Sequence, residues 1–369
     1  MILHLFDDEK VANRAIESFE KVFPKKNVFI CFTNNIPKMV KPYFNLYYYK
    51  DEKYFNASVL KSVTKVIIHY LNYHKIVFIN KFIPKNIPCT WMIWGGDIYN
   101  TFLVNRGYPL FYEPRFLGKD YLKILIKRLF HKVGLNTPKE KIFLDFIKNR
   151  ITYFSTDADY EIMQKYIGKY MNGIHVTGFR YYPIDIIMGN LQNTKVRGNI
   201  IWIGNSASFT NNHSYAFKIL SKLNIGNRKI ITPLSYGGTT KYREYIENKG
   251  ISIWGQSFKV LKNFIPLDEY NQLMASAEIC IFSSWRQEAF GNIVVALYLG
   301  AKVFLSEKSS LVDYFQKIGV KIYILEKMAQ ADIDIPLSYE IRKSNKEVLY
   351  ELLSVQNILS SIKSIWGEG

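Results

Sequence analysis

The chain has 369 residues, 48% of them hydrophobic and 16% aromatic, a formal net charge of +18 and three cysteines. That length exceeds one ordinary hydrophobic core and suits two domains. Cys31, Cys89 and Cys280 are far apart, each in an apolar setting, which excludes a disulfide frame or cysteine metal site and fits reduced core residues of a cytosolic protein.

The opening MILHLFDDEK has neither the basic nor the long apolar region of a signal peptide, and no run of about eighteen apolar residues is present to span a bilayer. Met1 to Phe6 reads as a strand, Asp7 to Glu9 as a polar turn, and Asn13 to Phe23 as a helix with Ala15, Ile16, Phe19 and Val22 on one face. Val28 to Phe32 is a second strand, so the chain opens β-α-β as a doubly wound domain does. Val66 to Tyr70, Ile76 to Ile79 and Thr90 to Trp94 read as further strands, the last running into WGGD, Trp94 to Asp97. Lys119 to Val133 has helical periodicity. Ile151 to Ser155 is a strand followed by Thr156 and Asp157 as candidate helix caps.

From Tyr182 to Arg197 the periodicity lapses around Pro183, Gly189 and Asn190, which marks a domain boundary. A new strand, Asn199 to Ile203, leads into GNS, Gly204 to Ser206. A helix over Asn212 to Leu223, a strand over Lys229 to Thr232 and a helix over Lys241 to Lys249, stopped by Gly250, follow. Asp268 to Ala277 is helical. Ile279 to Phe282 is a buried strand, Ser283 to Ala289 a polar loop, and a helix starts at Gly291 and Asn292, with Gly300 as its cap and a strand over Val303 to Leu305. The tail after Ser338 is helical. Two βα-repeating halves predict an α/β protein of two doubly wound Rossmann-like domains facing a central cleft, with ligands at the carboxyl ends of the strands.

GNS, RQEAFGN and WGGD all fall at such ends. A helix N-terminus at Gly291 and Asn292 carries unpaired amides and partial positive charge, so it suits a phosphate. Gly204 permits a tight turn, and the Asn205 amide and Ser206 hydroxyl can donate to phosphate oxygens. Arg286 supplies a fork-shaped cation matched to a diphosphate. The alternative for each fragment alone is an ordinary turn, cap or surface Arg. Asp97, projecting from a strand end, is the candidate general base for an acceptor hydroxyl, the alternative being a turn cap.

Asp157-Ala158-Asp159 and Asp332-Ile333-Asp334 resemble metal-binding DxD only superficially, and no metal ligand set is assigned. His4, His69, His74, His131 and His175 show no paired ligand spacing, and His213, beside GNS, is the one placed to touch a phosphate. The absence of GxSxG, a Walker loop and GxGxxG removes support for hydrolase, kinase and dehydrogenase readings. In KDYLKILIKRLFHKV, Lys119 to Val133, the apolar residues Leu122, Leu125, Ile126, Leu129 and Val133 share one face, and Lys123, Lys127, Arg128 and Lys132 lie mostly off it. With the overall charge, that fits binding to anionic lipid, against a core-facing helix with a solvated basic side.

WxIWGxD (Trp91 to Asp97), GNS with Asn211 and His213 after it, PxxY (Pro233 to Tyr236), and Arg286-Gln287 followed by Gly291 together resemble glycosyltransferase family 56, the TDP-N-acetylfucosamine:lipid II N-acetylfucosaminyltransferase family. The resemblance implies a GT-B fold, with an acceptor domain over 1–185, a nucleotide-sugar domain over 186–345 and a C-terminal helix, 346–369, returning to the first. It also implies transfer, without a bound metal, from a TDP- or UDP-sugar to an undecaprenyl-diphosphate-linked glycan. The expected setting is the cytoplasmic face of the bacterial inner membrane, with anionic lipid as a partner and no nucleic acid. It places Gly204, Asn205, Ser206, Asn211, His213, Tyr236, Arg286, Gln287, Gly291 and Asn292 near the donor, and matches Asp97 to WGxD. The loop departs from the family in Glu288 and Phe290. Ala296 stands where many GT-B enzymes carry the second Glu of Glu-x7-Glu, the residue that binds ribose. A nucleotide-sugar epimerase and, from another class, a basic nucleic-acid-binding protein are the rival readings.

Overall fold

The computed structural model describes residues 1–50, 55–100, 102–156, 158–179 and 182–367, which form two compact units. The first comprises 1–107, 126–182 and 355–369. Its seven strands are β1 (Ile2–Asp7), β2 (Asn27–Phe32), β3 (Leu46–Tyr49), β4 (Lys65–His69), β5 (Cys89–Met92), β6 (Ile151–Ser155) and β7 (His175–Thr177), in the order β3-β2-β1-β4-β5-β6-β7. Every pairing is parallel. Parallel sheets are covered by helices on both faces, which is why β1, β2 and β4 are nearly continuous apolar runs. The polar exceptions pair internally. His4 Nδ1 stands 3.1 Å from His69 Nε2, and its Nε2 3.2 Å from Asn27 Oδ1; burial pushes the His4 imidazole down to about 3. Helix Val355–Trp366 packs on helix Lys10–Val22, with Ile358, Ile362 and Trp366 in one core with Phe19.

The second unit comprises 108–125 and 183–354. Its strands are β8 (Ile200–Ile203), β9 (Lys229–Pro233), β10 (Phe258–Leu261), β11 (Ala277–Phe282), β12 (Lys302–Leu305) and β13 (Tyr323–Ile324), ordered β10-β9-β8-β11-β12-β13 and parallel throughout. Helix Phe290–Leu299 is apolar all round because it is buried all round from Ile293 onward, and Gly300 at φ +95° ends it.

Several expected elements differ. Ile76–Ile79 belongs to a helix, Tyr73–Phe82, not a strand: Asn72 caps it by accepting the Lys75 amide at 3.1 Å, and a four-residue apolar run fits either state. Gly250 lies inside helix Thr240–Trp254 rather than stopping it. A Cβ there would collide with the Phe258 ring, so close packing onto β10 selects glycine. Strands β3, β7, β10 and β13 are edges and mostly half-exposed, so they carry no buried apolar run to betray them.

Compactness also divides the chain differently from 1–185, 186–345 and 346–369. Residues 108–125 group with the second unit, where Asn212 Oδ1 accepts the Tyr112 amide at 2.9 Å and Tyr108 Oη donates to the Trp285 carbonyl at 2.7 Å. Helix Tyr339–Leu353 stays there too, because buried Asn345 bonds both the amide and the carbonyl of Lys321. The piece that joins the first unit is 355–369.

Candidate functional site

In the second sheet the chain runs outward from β8 through β9 to β10, then crosses to β11 and runs the other way. The carboxyl ends of β8 and β11 are therefore neighbours whose loops diverge, the geometry that opens a ligand crevice in α/β sheets. GNS leaves β8 and Ser283 to Ala289 leaves β11.

GNS is a turn built from beneath. Gly204 has φ +76°, and a Cβ on it would come within 2.8 Å of His213 Nε2 and 2.9 Å of Asn211 Oδ1, so no other residue fits. Asn211 Oδ1 accepts the Asn205 amide at 3.0 Å, and its Nδ2 donates to Ser206 Oγ at 3.2 Å. Asn205 Nδ2 reaches Tyr236 Oη, 3.3 Å away on an exposed ring at the rim. His213 does not reach outward as expected. It is fully buried, with Nδ1 at 3.1 Å from Tyr242 Oη, and burial pushes its imidazole down to about 3. It is neutral at physiological pH and supports the turn, adding no charge to a phosphate. Asn205 Oδ1, His213 Nε2 and Arg286 Nε are buried without a hydrogen-bond partner, and unsatisfied groups of this kind mark places where a ligand or water completes the structure.

The β11 loop is held by Ser283, whose Oγ donates to the Asn211 carbonyl at 2.7 Å, tying the two loops together. Arg286 is buried. Its Nη2 lies 3.0 Å from Glu288 Oε1 and its Nη1 donates to the Gln287 carbonyl at 3.2 Å. Ser309 Oγ, from the loop after β12, donates to the Arg286 carbonyl. Ala289 at φ +61° turns the chain into helix Phe290–Leu299, whose first internal bond runs from the Ile293 amide to the Ala289 carbonyl, 2.9 Å. The half-buried Gly291 and Asn292 thus sit in the orphan first turn. Phe290 packs on Tyr314 and Phe315, at 5.8 and 6.0 Å. Ala296 is fully buried within the apolar helix. Sequence reasoning missed Asn212, Ser283 and Tyr242. Two adjacent asparagines before a helix were the available signal for the first, while Tyr242 is brought in from a distant helix.

Asp97 lies in the first unit, in the turn after β5, and does not project outward. It is fully buried; Oδ2 accepts Trp91 Nε1 at 2.7 Å and the Leu71 amide at 3.2 Å, and Oδ1 accepts the Trp94 amide at 3.2 Å. Desolvation outweighs these bonds and raises its carboxyl from 3.8 to about 6. The crevice position in this sheet is instead between β1 and β4. There Asp7, its side chain 30% exposed, meets the fully buried Lys75 Nζ at 2.6 Å, and Lys75 also donates to the carbonyls of His69 and Tyr70. Tyr70 holds φ +65°, a left-handed conformation unusual for a bulky residue.

Asp157 lies outside the described residues. Asp159 is buried and accepts Tyr99 Oη at 2.8 Å, Asp332 accepts the Ala329 amide and Asp334 accepts Gln330 Nε2. Among the described residues no three His, Cys, Asp or Glu side chains stand together as metal ligands.

Two parallel sheets, each with its ligand crevice between the first and fourth strands, define a GT-B glycosyltransferase fold, and solved structures of low sequence identity share it. A glycosyltransferase from Rickettsia africae is 11% identical, covering 99% of this chain and 97% of that one, with a TM-score of 0.63. Anabaena HepE in complex with UDP is 12% identical over all of both chains, with a TM-score of 0.64. WaaG, a glycosyltransferase involved in lipopolysaccharide biosynthesis, is 12% identical over all of both chains, with a TM-score of 0.55. Residues 148–336 match the model of 4-alpha-L-fucosyltransferase glycosyl transferase group 56, and the chain belongs to that family. It is a glycosyltransferase that uses a nucleotide-sugar donor.

Removing a charged hydrogen-bond donor costs about 1.5–3 kcal/mol, so Arg286→Ala is expected to weaken nucleoside diphosphate binding about ten- to a hundredfold by calorimetry; unchanged affinity would remove Arg286 from the site. Asp97 binds its proton more tightly folded than unfolded. Its contribution to stability is therefore complete below pH 3.8 and is lost as pH rises through about 6. Melting curves across that interval should show wild type losing stability relative to Asp97→Asn as pH rises, and parallel curves would contradict the buried carboxyl.

Proposed function

We propose that this enzyme transfers an N-acetylated deoxyamino sugar, such as 4-acetamido-4,6-dideoxygalactose, from a TDP or UDP donor to a polyprenyl-diphosphate-linked glycan at the cytoplasmic face of the bacterial inner membrane, in surface polysaccharide assembly. The sugar and acceptor rest on the family resemblance. The membrane setting rests on one observation, helix Lys119–Lys132, which has no buried residue. Leu122, Ile126, Leu129 and Val133, one apolar stripe at i, i+4, i+7 and i+11, are between 53% and 69% exposed. Arg128 Nε donates to the Val104 carbonyl at 2.9 Å and holds the helix by its other side, while Lys123 and Lys132 stay exposed. A helix that turns its leucines outward beside a row of cations suits an anionic bilayer surface, where each Lys or Arg contributes about 1 kcal/mol. No helix among the described residues is long and apolar enough to cross a membrane, so attachment through this helix is interfacial.

At the donor, Arg286, the Ser206 hydroxyl and the Gly291 helix start stabilise the charge that grows on the leaving diphosphate, with no resident metal required; the Asn205 amide, expected to share in this, is taken by Asn211 Oδ1. Glu288 neutralises Arg286 until the donor arrives. For the acceptor proton we assign Asp7, which retains solvent access at the crevice of the first sheet, and we give Asp97 the positioning of the WGGD turn.

Phosphatidylglycerol vesicles should bind wild type and lose about tenfold or more in affinity with Leu122→Ser and Leu129→Ser together, the transfer of two leucines being worth several kcal/mol; equal binding leaves the helix without a membrane role. Asp7→Asn should lower kcat about a hundredfold or more with little change in donor affinity. Because it also strips buried Lys75 of its partner, Asp7→Glu, which keeps the pair, should melt near wild type and restore part of the rate. Near-normal turnover in Asp7→Asn would move the proton elsewhere.

A further inference from the structure

The second unit has a cavity of about 480 Å³ away from the donor loops. It opens beside Leu299 and Gly300, which precede β12, so it lies at the amino ends of the strands, whereas GNS and Arg286 lie at the carboxyl ends. Lys195, Arg342, Lys343 and Lys346 line it together with Tyr298 and Tyr339, and no Asp or Glu is among its lining residues.

The cations are held in place by neutral groups. Arg342 Nε donates to the Leu337 carbonyl at 2.9 Å, which fixes the guanidinium and leaves its two terminal nitrogens for a ligand. Lys346 Nζ donates to the Gln192 carbonyl at 2.5 Å and stands 4.8 Å from the centre of the Tyr298 ring. Lys195 stands 5.6 Å from the centre of the Tyr339 ring. Lys343 lies 3.8 Å from Glu347 on the solvent side, both more than half exposed, a pair that water competes for. Asp185, the nearby acid, is engaged by Tyr350. Burial and the charge of Lys195 both push the Lys346 ammonium down, which records two like charges facing one another.

A cation complements the carbonyl end of helix Phe290–Leu299. One would suffice; four around one concavity leave a surplus that a bound anion would relieve. We propose that this cavity is a second anion site, which takes a phosphate-bearing ligand in the fork of Arg342 between Lys195 and Lys346. The volume falls within the range of small-ligand sites, and charge-assisted bonds to a planar guanidinium favour phosphate oxygens. A free phosphorylated metabolite and a lipid headgroup carry the same chemistry.

The test uses the full chain carrying Arg286→Ala, which removes the donor-site cation. Titration with inorganic pyrophosphate should give saturable binding that falls about tenfold or more when Arg342→Gln and Lys346→Gln are added, as expected for the loss of two charged donors. Arg342→Lys, which keeps charge but not the fork, should fall between. Should the double variant melt early, Lys195→Glu on the exposed rim gives the same readout. Flotation with phosphatidylglycerol vesicles, on a chain that also carries Leu122→Ser and Leu129→Ser to remove the helix contribution, separates the sources: residual vesicle binding that pyrophosphate and Lys195→Glu each weaken assigns a headgroup, while pyrophosphate binding with vesicle binding indifferent to both assigns a free anion. Absence of saturable pyrophosphate binding, or binding unaffected by the cavity substitutions, overturns the site.

Discussion

A parallel sheet ordered 3-2-1-4-5-6 forces the loops after its first and fourth strands apart, and in each unit that divergence decides where a ligand can sit. In the second unit it leaves the GNS turn and the start of helix Phe290–Leu299 side by side. The two loops still cannot wander, because Ser283 bonds the Asn211 carbonyl while Asn211 bonds the Asn205 amide. Their preorganisation is therefore a hydrogen-bonded chain through one asparagine. In the first unit the same divergence exposes Asp7 and buries Lys75 beneath it. A buried ammonium needs a partner, so the carboxylate is held in one place whether or not it reacts.

The electrostatics of the GNS and RQEAFGN loops follow from burial more than from charge count. Arg286 is almost wholly shielded and already faces Glu288, so the resting site is close to neutral. A diphosphate entering it, as we propose, would bring two or more negative charges beside a carboxylate, and binding would have to rearrange the Arg286–Glu288 pair or accept the repulsion. His213 contributes no charge. The surplus positive charge of the chain therefore lies outside these loops, on Lys119–Lys132, at the rim of the anion cavity and over the general surface.

Legibility in the sequence tracked burial. Strands covered on both faces, such as β1, β8 and β11, announce themselves as apolar runs, and the GNS and RQEAFGN loops are placed by the strands they leave. Edge strands β3, β7, β10 and β13 do not, because half of each faces solvent. Ile76–Ile79 was ambiguous in kind, since a short buried run has no period long enough to separate helix from strand. At the site, the loops and the strands they leave were readable but side-chain direction was not. Nothing in WGGD says that Asp97 turns inward to Trp91, and nothing in GNS says that His213 lies under Gly204, because both depend on partners brought in by the fold.

The helix Lys119–Lys132 shows the same limit from the opposite side. Its periodicity gives an apolar stripe and a basic flank, and the ordinary expectation for such a stripe is a protein core. The fold reverses that expectation by seating the helix through Arg128 and Val104, so that Leu122, Ile126, Leu129 and Val133 face outward. Leaving four large apolar side chains in water has a cost of several kcal/mol relative to burial. A sequence that tolerates that cost in one contiguous stripe, flanked by lysines, is organised for a surface that the isolated chain does not supply. A long-chain polyprenyl acceptor resides in such a surface. The outward stripe and the lipid-linked acceptor we propose therefore make the same physical demand, that the enzyme meet that substrate at a bilayer.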